Sequence, residues 1–186
     1  MIPQHSSVSN EHYTPAHVVE AARGLLGRFD LDPASCLAAN ETVQAEKIFT
    51  IEDDGLNQPW FGKVFLNPPG GKLKLVDGRW VPVAKGPGTS SMQVWWNKLA
   101  TEWESGNVKE AFFVGFTLEV LRLSQRCLRP VQDFPRCYPV ERLCFVGADP
   151  THANVLVYLP PDEDETHVER MDEAFSGIGV CEGGRR

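Results

Sequence analysis

Lys63-Val64-Phe65-Leu66-Asn67-Pro68-Pro69-Gly70 is the stretch that decides how this chain is read. Its first four residues are a compact β-prone run, and the prolines and glycines that follow stop it at once, which predicts a strand ending in a rigid loop. Upstream, Phe29-Asp30-Leu31-Asp32-Pro33 alternates apolar and acidic residues before a proline and reads as a short strand whose end carries Asp32. Before it, Thr14 offers an N-cap hydroxyl and Pro15 suits the first helical position. Val18, Val19, Ala22, Leu25 and Leu26 then recur at helical spacing until Gly27, so a helix is expected over about 15–26.

Downstream the alternation continues. Ser91 to Glu104 places Val94, Trp95, Leu99 and Trp103 on one helical face, and Ala111-Phe112-Phe113-Val114-Gly115-Phe116 reads as a buried strand. Leu118 to Leu128 reads as helix, and Leu143-Cys144-Phe145-Val146 and Ala153 to Leu159 as late strands. Ala34 to Thr50 allows a short helix and then a strand near Lys47 to Phe49. Strands alternating with helices predict an α/β fold: a single Rossmann-like domain with a mostly parallel central sheet, helices on both faces, and an antiparallel edge at the end. Residues 1–13 are polar and aperiodic and read as a flexible lead-in. Residues 71–90, with four glycines and two prolines around a hairpin-like pattern, read as a mobile insertion in a domain spanning 14–160, and 161–186 as an acidic tail.

Composition bounds the function. At 186 residues the chain has room for one sizeable core, given roughly 100–200 residues per domain. No apolar run approaches the roughly 18 residues of a membrane span, and the first residues have no secretory pattern, so a cytoplasmic protein is expected. The five cysteines are scattered, without a C-x-x-C pair, and read as free thiols rather than metal ligands. The net charge of -7 argues against indiscriminate nucleic-acid binding, but its distribution is uneven. From Lys63 to Lys98 six basic residues meet one acid, Asp77; from Arg122 to Arg142 five arginines meet two acids; Asp162 to Glu173 holds seven acids and one arginine.

In open α/β sheets, ligands bind beyond the carboxyl ends of the strands. Here those ends carry Asp32-Pro33-Ala34-Ser35 and Asn67-Pro68-Pro69-Gly70, so both segments are expected to open into one crevice. On its own, Asn-Pro-Pro-Gly is a turn. Its chemistry also suits an exocyclic aromatic amine, whose lone pair is delocalised into the ring and must be localised before it can attack. The Asn67 side-chain oxygen and the Pro68 carbonyl can accept the two N–H protons, and the prolines stiffen that geometry.

Taken in order, Tyr13-Thr14-Pro15, Leu31-Asp32-Pro33-Ala34-Ser35, Phe49 to Leu56, Trp60, Asn67-Pro68-Pro69, Trp96 with Lys98, and Ala153-Asn154-Val155-Leu156-Val157 resemble the phage-type Dam family of DNA N6-adenine methyltransferases over roughly residues 12–158. The resemblance implies S-adenosylmethionine as cofactor and DNA as partner, with no metal, and the host cytoplasm as location if the chain is phage-encoded. Thr14, Pro15, Asp32 and Pro33 would line the methionine end of the cofactor. Asp54 would accept from its adenine amine, with Phe49 stacking on the ring. Asn67, Pro68 and Pro69 would hold the target amine, and Gly70, Lys72, Lys74, Trp80, Trp96 and Lys98 would contact the nucleic acid. Two departures stand out. Ser35-Cys36-Leu37-Ala38-Ala39-Asn40 lacks the Gly-rich loop common after the first strand of such folds, and Gly70 occupies a position where an aromatic ring usually stacks on the target base. Trp80, Trp95 and Trp96 are the candidate substitutes. Other planar amines fit the same loop (cytosine N4, an RNA base, a protein glutamine), and an inactive nucleic-acid-binding relative is a further reading. With no separate recognition domain, specificity falls to loops or to a second subunit in a homodimer.

Overall fold

The computed structural model describes residues 13–145, 152–162, 164 and 166–184; the lead-in before Tyr13 and the expected strand residue Val146 lie outside them. The first helix, α1 (Ala16–Leu26), buries Val18, Val19, Ala22, Leu25 and Leu26 and ends where Gly27 takes φ +84°. Pro15, not Thr14, is its N-cap, and no side chain caps it. The chain continues through β1 (Leu31–Asp32), α2 (Leu37–Val43), β2 (Lys47–Ile48), β3 (Gly62–Leu66), β4 (Lys72–Val76), β5 (Arg79–Pro82), β6 (Thr89–Ser90), α3 (Ser91–Glu104), β7 (Val108–Gly115), α4 (Glu119–Leu123), β8 (Arg136–Pro139), β9 (Val155–Leu159), α5 (Thr166–Phe175) and β10 (Gly179–Glu182).

Seven strands form the central sheet in the order β10-β8-β9-β7-β3-β1-β2. The β2-β1-β3-β7 half is parallel, and β9, β8 and β10 join through antiparallel ladders. Side-chain alternation divides the core in two. Leu31, Val64, Leu66, Ala111, Phe113, Val155, Val157 and Leu159 face α3. Phe65, Phe112, Val114, Leu156 and Tyr158 face α1 and α5. Helices therefore cover both faces, as the alternating pattern predicts. Each fully buried large apolar side chain contributes about 1.5–3 kcal/mol.

The structure changes three expectations. Residues 143–145 are not a strand; the antiparallel edge is built from β8 at Arg136–Pro139, a segment whose basic and proline residues masked a β pattern. The acidic segment beyond residue 160 is not a tail: His167, Met171 and Phe175 recur every four residues, bury one face of α5, and stack Phe175 on Phe112 at 5.1 Å. Its continuation, β10, pairs with β8. Residues 71–90 form a separate three-stranded antiparallel sheet, β5-β4-β6, with Leu73 buried and Trp80 packed against the core.

Candidate functional site at the switch point of the sheet

After β1 the chain moves outward to β2, then returns to place β3 on the other side of β1. That reversal opens a crevice beyond the carboxyl ends of β1 and β3. Leu31 pairs with Val64, so Asp32 leaves the sheet beside the strand that runs on through Leu66 into Asn67. The two segments expected to share a crevice thus emerge from adjacent parallel strands.

Asp32 is 3% exposed. Its Oδ1 accepts from the Ala34 backbone N–H at 3.2 Å. Burial pushes its carboxyl up to about 7, with the neighbouring Ser35 hydroxyl and the Ala34 N–H holding it down in part. No cation among the described residues pairs with it. A buried carboxylate without a cation is costly, so its carboxyl holds its proton toward neutral pH, and groups perturbed in this way are candidates for functional sites. The Thr14 hydroxyl is also buried, with no hydrogen-bond partner among the described residues. The buried Ser35 hydroxyl lies near enough to Asp32 to favour its ionised form while meeting no partner in good hydrogen-bond geometry among them. The residue before Thr14 is tied to this loop: the Tyr13 hydroxyl accepts from Cys36 Sγ at 3.5 Å, one residue past Ser35. Cys36 in turn caps α2 by accepting from Ala39 N–H at 3.5 Å. That thiol cap, rather than glycine, begins the helix after β1.

Phe49 ties the next segment to this loop: its N–H donates to Asp32 O and its carbonyl accepts from Ser35 N–H, both at 3.0 Å. Its ring is 8% exposed, with Lys47 Nζ 5.5 Å from its centroid, which leaves little ring surface for a ligand. Beyond it, Asp53 accepts from the Thr50 N–H and hydroxyl at 2.7 and 2.8 Å, which holds its pKa low. Asp54 takes the left-handed conformation at φ +54°, is half-buried, and accepts from Asn57 Nδ2 at 2.7 Å through one carboxylate oxygen. Gly55 presses this turn onto the β1 loop, because a Cβ there would lie 2.0 Å from the Pro33 carbonyl oxygen. Trp60 braces it from below, donating to Gly55 O at 2.7 Å and stacking on Trp95 at 5.9 Å. Neither buttress has a role that the sequence alone assigns, although the Asp54-Gly55 pair and Trp60 stand close together in it.

Gly55→Ala is therefore expected to destabilise the fold by about 1–3 kcal/mol, as overpacking does, and to push the Asp54-Gly55 turn off the β1 loop. Urea unfolding measures the first effect. Unchanged stability would show that the turn yields freely.

In the loop after β3, Asn67 is half-buried, Pro68 buried, and Pro69 and Gly70 exposed. A Cβ on Gly70 would meet nothing within 4 Å, so space does not require glycine there. Two residues expected to contact nucleic acid are engaged within the fold. Trp96 is fully buried, donates to Arg129 O at 2.7 Å, and packs edge-on against Phe113 and Phe134, so it is a core residue. Lys98 is paired with Glu102 and lies over Trp60, which commits its charge within the fold. Lys72 and Lys74 are exposed and Trp80 is half-buried. Trp95 is 7% exposed beneath Trp60. The arginine-rich zone is likewise neutralised at Arg122, Arg129 and Arg136 by Glu119, Glu104 with Asp133, and Glu182.

No family model matches the chain, and no curated protein matches it. Two solved structures are similar in course. One is assigned as the modification subunit of a type I restriction enzyme from Vibrio vulnificus YJ016, with 12% identity and a TM-score of 0.47 over 96% of this chain and 56% of that one. The other is assigned as a class I S-adenosylmethionine-dependent methyltransferase from Listeria monocytogenes, with 12% identity and a TM-score of 0.44 over 86% of this chain and 66% of that one. The chain thus spans 56% and 66% of the length of these two proteins.

Proposed function

We propose that this chain transfers a methyl group from S-adenosylmethionine to N6 of adenine in DNA. The observation that carries the reading is Asp32, a buried carboxylate without a cation at the switch point of the sheet, one strand away from an Asn-Pro-Pro loop. The cofactor, when bound, supplies a methyl group on a positively charged sulfur.

The chain's own residues fit its methionine end. Asp32 accepts from the ammonium, and the hydroxyls of Thr14 and Ser35 serve as further donors or acceptors beside Pro15 and Pro33. Asp54 has one carboxylate oxygen without a partner among the described residues, which can accept from the adenine amine. Asn67 Oδ1 and the Pro68 carbonyl accept from the target N6 and hold its lone pair toward the methyl, with Pro69 stiffening the loop. The target base leaves the duplex stack to reach this loop. Alignment and preorganised acceptors supply the rate enhancement, and the proton leaves N6 after transfer.

With Trp96 in the core and Trp95 beneath Trp60, Trp80 is the ring left to stack on the target base in place of an aromatic at Gly70. Open space at Gly70 gives a direct test. Gly70→Tyr is expected to fold like the parent and to raise kcat/KM on DNA by about tenfold, the scale of one base–aromatic stack. A drop in kcat/KM with folding intact would mean that the base does not pass over this position.

A further inference from the structure

The small sheet that grows out of the target loop has two unlike faces. Directly opposed residues of an antiparallel pair share a face, so the register Leu73↔Pro82, Lys74↔Val81, Leu75↔Trp80 and Val76↔Arg79 sorts them. Leu73, Leu75, Trp80 and Pro82 lie on one side. Lys72, Lys74, Val76, Arg79 and Val81 lie on the other. Leu73 is 7% exposed and Trp80 packs on the α3 side of the core, so the apolar side meets the domain through these two residues while Leu75 (59% exposed) and Pro82 stay open to solvent; on the basic side Lys72, Lys74 and Arg79 are exposed.

Lys72, Lys74 and Arg79 are all exposed, and no salt bridge involves them among the described residues. Their neighbours in sequence differ: Lys63 is paired with Glu110 at 2.9 Å and Lys98 with Glu102. The only acid between Lys63 and Lys98 is Asp77, in the β4–β5 turn. The base of the sheet is pinned by Ser91 N–H donating to Gly71 O at 3.0 Å and by the pair Lys72↔Ser90. Lys72 follows Pro69 by three residues, so the cationic face is fixed relative to the target loop. The five residues of β4 carry it about 16 Å outward at about 3.3 Å per residue.

We propose that the β4-β5-β6 sheet is a duplex-DNA docking surface, whose Lys72, Lys74 and Arg79 hold the phosphates flanking the target base. This rests on the methyltransferase reading and names the element through which its substrate is held. Phosphate contacts of this kind position a duplex without reading its sequence, and each contact releases counterions. Lys72 and Lys74 alternate along β4 and Arg79 stands beside Val76 on β5, a spread over one face that suits phosphates of a backbone. Trp80 lies on the opposite face, packed against the core, which leaves the charged face free for that backbone.

The test measures binding of a labelled duplex over a salt series for the parent chain, the K72Q/K74Q/R79Q variant, and K109Q. Lys109 is an exposed lysine at the amino end of β7, away from the crevice. The triple variant is expected to lower the slope of log affinity against log salt by about 2.7, at about 0.9 per phosphate contact, with K109Q leaving it unchanged. An unchanged slope in the triple variant, or an equal loss per charge in K109Q, overturns the proposal. Titration of the same proteins with S-adenosylmethionine separates the two claims. Cofactor binding with an unaltered DNA slope sinks the docking surface alone, and the expected slope loss without cofactor binding sinks the methyltransferase reading alone.

Discussion

Asp32→Asn is expected to stabilise the ligand-free protein at neutral pH and to abolish its affinity for S-adenosylmethionine. The Asp32 carboxyl sits near 7 in the fold against an ordinary value of 3.8. Because the folded value is the higher one, the folded state holds the proton more tightly than the unfolded state. Its contribution to stability is complete below about 3.8 and is lost as pH rises toward about 7. Above that window the native protein carries a buried, uncompensated charge. Asparagine keeps an acceptor for the Ala34 N–H and removes the charge, so its thermal midpoint should exceed the parent's at pH 8, with the gap closing at pH 5.

The cofactor reverses that balance. Its ammonium requires the ionised carboxylate, so the parent's affinity should fall as pH drops below about 7, approaching a tenfold loss per unit. Calorimetric titration between pH 6 and 8, alongside thermal melts, measures both effects. A variant that binds the cofactor normally, or that is less stable than the parent at pH 8, would remove Asp32 from the site.

Asn67→Ala carries the second large effect. The side chain is half-buried at the end of β3, next to the buried Pro68, and truncation removes one of two acceptors for the target N6. Loss of a single preorganised hydrogen-bonding group in an active site costs about 10²–10³-fold in kcat, and that range is expected here. Cofactor affinity should be unchanged, because Asp32 and its hydroxyl neighbours lie on the β1 side of the crevice. A parallel loss of cofactor binding would mean that Asn67 shapes the fold rather than the reaction.

Much of this arrangement is legible from residues alone because local signals agree with the global fold. The stop from Leu66 into Asn67-Pro68-Pro69 marks a strand end in any context, and Ser91 to Glu104 is helical by period. Where the signals conflict, tertiary packing decides. The acids of Asp162 to Glu173 hide a stripe of only three residues, His167, Met171 and Phe175, which composition averages away. Arg136–Pro139 pairs as a strand because β9 and β10 flank it, not because its residues favour one.

In the site, the sequence shows residue types but not accessibility. Trp80, Trp95 and Trp96 are equivalent as letters. Only the packing of Trp96 against Phe113 and Phe134, and of Trp95 under Trp60, leaves Trp80 as the ring with accessible surface. Lys98 carries a charge in the sequence that Glu102 absorbs in the fold. The contact of Gly55 with the Pro33 carbonyl, which brings Asp54 to the β1 loop, has no one-dimensional signature beyond the glycine itself.

The most direct measurement incubates the protein with duplex DNA and S-adenosylmethionine labelled in the transferable methyl, then resolves the digested nucleosides. Label in N6-methyladenine that is lost in Asn67→Ala is the predicted result; label in another base, or equal labelling by parent and variant, would contradict the account.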